Sequence, residues 1–155
     1  MTITAALIGL TSAFIGSLGF ALLFRLHPRH LVPASLGGMI GYAVYLAADL
    51  LGMHLFVSNF LAATVAALLS ELCARFFKAP SVIFTIPALI PLVPGSLLYY
   101  SMSNLLTSQY DQAFLYFSGT LITALGIAGG MIAVSVGWSI FSYFYRKPRS
   151  KQVNP

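Results

Sequence analysis

Charge is scarce in this chain. Only 7% of its 155 residues are Asp, Glu, Lys or Arg, and the acids are three, Asp49, Glu71 and Asp111. A soluble domain of that length could not cover itself with water-compatible surface on so few charges, so lipid is the solvent for most of it. Cysteine is scarcer still. Cys73 stands alone, which excludes an intrachain disulfide, and no Cys, His and carboxylate cluster has metal-ligand spacing. His27 and His30 lie three apart beside basic residues and read as interfacial histidines rather than metal ligands. The chain also offers no nucleophile–base pair, no carboxylates paired at a common depth and no phosphate-cradling loop, so no enzyme and no cofactor is expected.

What is abundant is apolar length. Hydrophobic residues make up 59% of the chain and mean hydropathy is +0.90. The net charge of +5 would suggest nucleic acid in a soluble protein, but here the basic residues are split among short segments between apolar runs and read as topology signals. The first run has no basic n-region, exceeds the roughly 7 to 15 residues of a signal h-region and precedes no A-x-A-like site, so it is expected to stay as a membrane helix.

Divided at its polar connections, the sequence predicts an all-α integral membrane protein of about five transmembrane helices, the first four near the roughly 20 residues that cross a hydrocarbon core and the fifth longer. The expected spans are about 3–24, 31–51, 55–72, 81–103 and 113–145, forming one domain over 1–145, with 146–155 as a basic tail. All eight Lys and Arg fall in alternate connections: Arg25 and Arg29, then Arg75 and Lys78, then Arg146, Lys147, Arg149 and Lys151. The positive-inside rule then places the N-terminus outside and the C-terminal tail in the cytoplasm. Tyr110, Phe114, Tyr116 and Phe117 at one end of the last span and Trp138, Tyr143, Phe144 and Tyr145 at the other fit an aromatic belt, with 118–140 as its membrane core. Small residues recur every four positions, as Ala5, Gly9, Ala13 and Ser17, as Gly37 and Gly41, and as Gly126 and Gly130; they predict close helix packing.

One segment breaks the rules of membrane helices: Pro87, Pro91 and Pro94 fall within the fourth span and Gly95 follows directly. Each proline lacks an N–H and clashes with the carbonyl four residues back, so a continuous helix would strand the carbonyls of Ile83, Pro87 and Ile90. Ile90 and Val93, each preceding a proline, are pushed from helical angles. Gly95 is expected to permit the turn, after which a second half-helix begins with its N–H groups free. Such a break must face protein or a water-lined cavity, and it makes an anion pocket in which Pro87, Pro91, Pro94, Gly95 and Ser96 would face a substrate carboxylate. Tyr99 and Asp49 are lesser candidates for the substrate path. Glu71 lies four residues before Arg75, the spacing of a helical ion pair. A proline kink serving only packing is the plainer reading of the same segment.

The run from Lys78-Ala79-Pro80 through Ile86-Pro87 to Ile90-Pro91-Leu92-Val93-Pro94-Gly95, then Leu98-Tyr99, resembles the signature of the small subunit, or C-terminal half, of the threonine/serine exporter family. The earlier Gly19-Phe20-Ala21-Leu22-Leu23-Phe24, with basic residues and then Gly37-Gly38 and Gly41 after it, extends the resemblance over most of the chain. The resemblance implies export of small polar metabolites, threonine and serine or a dicarboxylate such as succinate, across the bacterial inner membrane. It also implies a larger multi-span membrane subunit as partner. The alternative is a structural or assembly subunit of a membrane carrier with no substrate site of its own.

Overall fold

The computed structural model describes residues 3–145. The tail over 146–155, expected to be basic and cytoplasmic, lies outside the described residues. Six helices follow one another: α1 (Ile3–Leu23), α2 (Pro28–Leu50), α3 (Leu55–Phe77), α4 (Val82–Leu89), α5 (Gly95–Leu106) and α6 (Tyr110–Tyr145), with a 3-10 turn at Ile90–Leu92 between α4 and α5. No strand occurs among the described residues. α1, α2, α3 and α6 are each long and apolar enough to cross a bilayer, and α4 with its 3-10 turn joins α5 at a 51° bend to make a fifth candidate.

The helices begin and end for local reasons. α2 starts three residues earlier than its apolar run because Pro28 takes the first helical position, where its missing N–H costs nothing, and the His27 ring accepts the Arg29 N–H at 3.4 Å. α3 runs on through Glu71 and Arg75 to Phe77, past the apolar run that marks the span in sequence. α1, α2, α3 and α5 all close with a left-handed residue, Arg25 (φ 52°), Gly52 (φ 72°), Lys78 (φ 53°) and Ser108 (φ 60°), after which the chain N–H reaches back to a terminal carbonyl. That closure satisfies carbonyls which would otherwise be orphaned and keeps every connection short.

The interior is made of small side chains. Ala13, Ala21, Ala34, Ala62, Ala63, Ala66, Ala67 and Ala88 are buried, whereas Leu7, Ile15, Phe76 and Leu106 point outward. In lipid no hydrophobic force separates the two sets, so close backbone approach decides what packs. α2 and α3 are the centre of the packing, α3 against α2, α4 and α6, and α2 against α1, α3 and α4. α3 and α6 run parallel and nearly touch backbone to backbone: a Cβ added at Gly126 would stand 2.8 Å from the Phe56 carbonyl, and one at Gly130 2.6 Å from that of Phe60. Gly41 of α2 likewise faces Ala66, and Gly9 of α1 lies under the Tyr42 ring. Ala5, the first member of the α1 stripe, is exposed, so close packing on that helix begins at Gly9. Buried hydroxyls such as Ser35 and Ser70 bond to the carbonyl four residues back, at 2.8 Å in both cases.

α5 turns back along the start of α6. The Ser101 hydroxyl donates to the Ala113 carbonyl at 3.0 Å, and the Tyr100 and Tyr116 rings stand 5.6 Å apart. With 36 residues, α6 is about 54 Å long, well beyond a ~30 Å hydrocarbon core. Gly119 lies level with Leu55, the first residue of α3, so the aromatic residues Tyr110, Phe114, Tyr116 and Phe117 stand past the end of the bundle proper.

Gly130→Ala has no room to relax, because the obstacle is backbone, and it should destabilise the protein by about 1–3 kcal/mol. Gly16→Ala, where nothing lies within 4 Å, should not. Thermal unfolding in detergent separates the two; equal midpoints would mean that the α3–α6 contact is looser than described.

Candidate substrate cavity at the proline break

The three prolines act differently. Pro87 is buried inside α4 and does not break it. Ile90, expected to leave helical angles ahead of Pro91, keeps them (φ −51°, ψ −45°), because the chain tightens there into the 3-10 turn. Two of the carbonyls expected to be stranded find donors through that tightening: Pro87 takes the Ile90 N–H and Ile90 takes the Val93 N–H at 3.2 Å. The break falls at Val93, which is extended (φ −60°, ψ 127°), and Pro94 (φ −77°, ψ 53°). Gly95 does not make the turn. Its φ is not positive, it is already the first residue of α5, and a Cβ on it would meet nothing within 4 Å.

A cavity of about 410 Å³ lies against this break, within the roughly 300–1,000 Å³ of small-molecule sites. Pro91, Pro94 and Ser96 line it, as the sequence suggested, together with Leu97. Pro87, Gly95, Tyr99 and Asp49 are not among its lining residues. Pro87 borders an apolar recess with Phe24 and Leu26. Tyr99 is exposed and meets Tyr100 edge-on, and Asp49 is exposed at the end of α2, one turn past Tyr45.

The remaining polar wall comes from residues that sequence reasoning passed over: Tyr42 and Tyr45 of α2, Asn59 of α3 and Thr123 of α6. Only Asn59 stands out by type within an apolar run; Thr123 and the tyrosines are ordinary in membrane helices, and nothing in the sequence says which face they take. Asn59 is 2% exposed and gives its amide N–H to the Leu55 carbonyl at 2.8 Å, which leaves its carboxamide oxygen for the cavity. Thr123 is 3% exposed and its hydroxyl has no hydrogen-bond partner. At the start of α5 the Leu98 N–H closes on the Pro94 carbonyl at 3.1 Å, while the N–H groups of Ser96 and Leu97 make no bond among the described residues. Free N–H groups at a helix start carry partial positive charge, and elsewhere on the same cavity wall the buried Thr123 hydroxyl lacks a partner of its own. The arrangement suits a small solute with an acceptor group, a carboxylate above all, and further polar groups for Thr123 and Asn59 to meet. The described residues hold no group of three or more His, Cys, Asp or Glu able to bind a metal.

Comparison with known proteins gives a match over residues 9–136 to a family model described as Threonine/Serine exporter, ThrE. No solved structure matches the chain. The wall of the cavity is testable by itself. Thr123→Val removes a hydroxyl that is buried without a partner, so the empty protein should gain about 1 kcal/mol, read as a higher unfolding midpoint in detergent. A lower midpoint would show the hydroxyl to be already satisfied.

Proposed function

The chain belongs to the threonine/serine exporter family, and from that membership we propose that it is the small subunit of a secondary transporter that exports small polar carboxylate-bearing metabolites. The observation that carries this reading is a cavity at a break in a candidate membrane span, lined by Ser96 and Leu97, whose N–H groups are unbonded among the described residues, and by Thr123, whose hydroxyl has no partner. Half-helix starts of this kind suit substrate carboxylates, and irregular backbone at membrane depth is tolerated only beside protein or water. Threonine and serine fit the acceptor, donor and hydroxyl complement of the wall; a dicarboxylate such as succinate would use the same N–H groups.

The bent α4–α5 pair counts as one crossing in this reading, for five in all. It leaves α3 at the end that carries Arg75 and Lys78 and delivers the chain to α6 at the other. The N-terminus is then outside and the basic end faces the cytoplasm of a bacterial inner membrane. A larger membrane subunit completes the exporter. Open space over Gly16 and Gly19 of α1 supports that part, since glycines on a membrane helix leave room for another helix to approach closely.

Deleting the gene should lower threonine or succinate efflux from loaded cells, and restoring the chain should return it. Thr123→Val and Asn59→Leu should each cut that efflux about tenfold at unchanged membrane abundance, the equivalent of ~1.4 kcal/mol of lost solute binding. Unchanged efflux together with a lower level of a co-purifying membrane protein would favour a structural subunit instead.

A further inference from the structure

α3 carries a second polar feature that the cavity at the break does not use. Glu71 was expected to pair with Arg75 one turn on, yet it makes no ion pair or hydrogen bond among the described residues. The reason is geometric: the Arg75 guanidinium lies 3.8 Å over the centre of the Trp138 ring, a cation–π arrangement that draws it toward α6. Glu71, half-buried, instead lines a cavity of about 220 Å³ between α3, α4 and α6, with Ser81, Thr85 and Ser135 as its hydroxyl-bearing neighbours and apolar residues over the rest. No other lining residue is ionisable.

The two cavities lie on opposite sides of the 3-10 turn, the first at the break and the second along α4. Asn59 and Glu71 are twelve residues apart on α3, as are Thr123 and Ser135 on the parallel α6, or about 18 Å along each axis. Between them buried Leu92 packs with Ala62, Ala63, Leu89, Tyr45 and Ile127. Leu89 lines the Glu71 cavity and Leu92 the other, so the apolar septum is made from the last turn of α4 and the 3-10 turn.

We propose that Glu71 is a specificity-determining residue that binds the ammonium group of a zwitterionic amino-acid solute in this second cavity, before or after the solute's carboxylate occupies the N–H groups of α5. The inference rests on the exporter reading above and narrows it. A lone carboxylate in a largely apolar wall is costly unless a cation meets it, and the one cation nearby on its own helix is engaged elsewhere. The space is far greater than the ~10–15 Å³ that a single water needs, so it has room for an organic cation. A dicarboxylate has no group for Glu71 and is repelled by it. The pairing of a carboxylate on one side of the septum with N–H donors on the other selects solutes that carry both charges.

The experiment follows efflux of threonine and of 3-hydroxybutyrate, which is threonine without its amine, from native cells carrying the wild-type chain, Glu71→Gln or Glu71→Asp, with the gene deletion as baseline. Glu71→Gln should lower the threonine-to-3-hydroxybutyrate efflux ratio about tenfold at unchanged membrane abundance, whereas Glu71→Asp should keep it within a few-fold of wild type. A wild-type ratio in Glu71→Gln overturns the proposal. So does equal loss of both solutes in both variants, which would assign the carboxylate to the transport cycle itself, such as proton binding. Wild-type threonine efflux no greater than that of the deletion strain overturns this inference, and the exporter reading falls with it only if succinate efflux is likewise no greater than that of the deletion strain.

Discussion

A peptide group in hydrocarbon has no water to turn to, and the architecture follows from that. Every crossing is helical, α1, α2, α3 and α5 close on their own carbonyls, and the one place within a crossing where the backbone leaves helical angles, Val93–Pro94, lies against a cavity walled by α2, α3 and α6, with the Val93 side chain itself exposed. The 3-10 turn before it recovers two of the carbonyls that a proline-bearing helix would lose. At the break the N–H groups of Ser96 and Leu97 make no bond among the described residues, and both residues line a cavity. The polar site is therefore a by-product of the only break that the membrane permits.

Setting helices against that break requires that they come close, and close approach requires side chains to be nearly absent. Gly126 and Gly130 bring α6 against the α3 carbonyls, while Gly37 and Gly38 bring α2 against Ala88 of α4. Gly41 adds a third such contact, 3.1 Å from Ala66, that ties α2 to α3 and so joins the α3–α6 and α2–α4 pairs. His30, flanked edge-on by Phe77 and Phe84 at 5.2 and 5.3 Å, binds the basic ends of α2, α3 and α4 together.

Much of this was legible in the sequence because periodicity and proline act locally. The apolar runs, the small-residue stripes and the restart of a helix near Gly95 all depend on a few neighbouring residues. The errors were of two kinds. Gly95 was credited with a turn that Val93 and Pro94 make, since sequence shows which residues permit unusual angles but not which ones adopt them. Glu71 was paired with Arg75 by helical spacing, although Trp138, distant in sequence, competes for the guanidinium. The cavity wall was least legible of all. Tyr42, Asn59 and Thr123 come from three helices, and only the register fixed by Gly126 and Gly130 brings the last two to one depth.

The two cavities share a seam. Each has one wall from α3 and α6; the other comes from α4 for the Glu71 cavity, and from α2, the 3-10 turn and the start of α5 for the one at the break. The seam is closed in its middle, where Gly41 meets Ala66 and the Ala62 carbonyl and where Leu92 fills the remaining space. Glycine there lets backbones do the closing, so the barrier is thin, a single layer of alanine and leucine with open space on both sides. A barrier built of bulky interdigitated side chains would fill the space on both sides of it; one built at Gly41 leaves the middle of the seam thin, while Ala34, Ala74 and Phe84, with His30 and Phe77, hold α2, α3 and α4 together at the basic end.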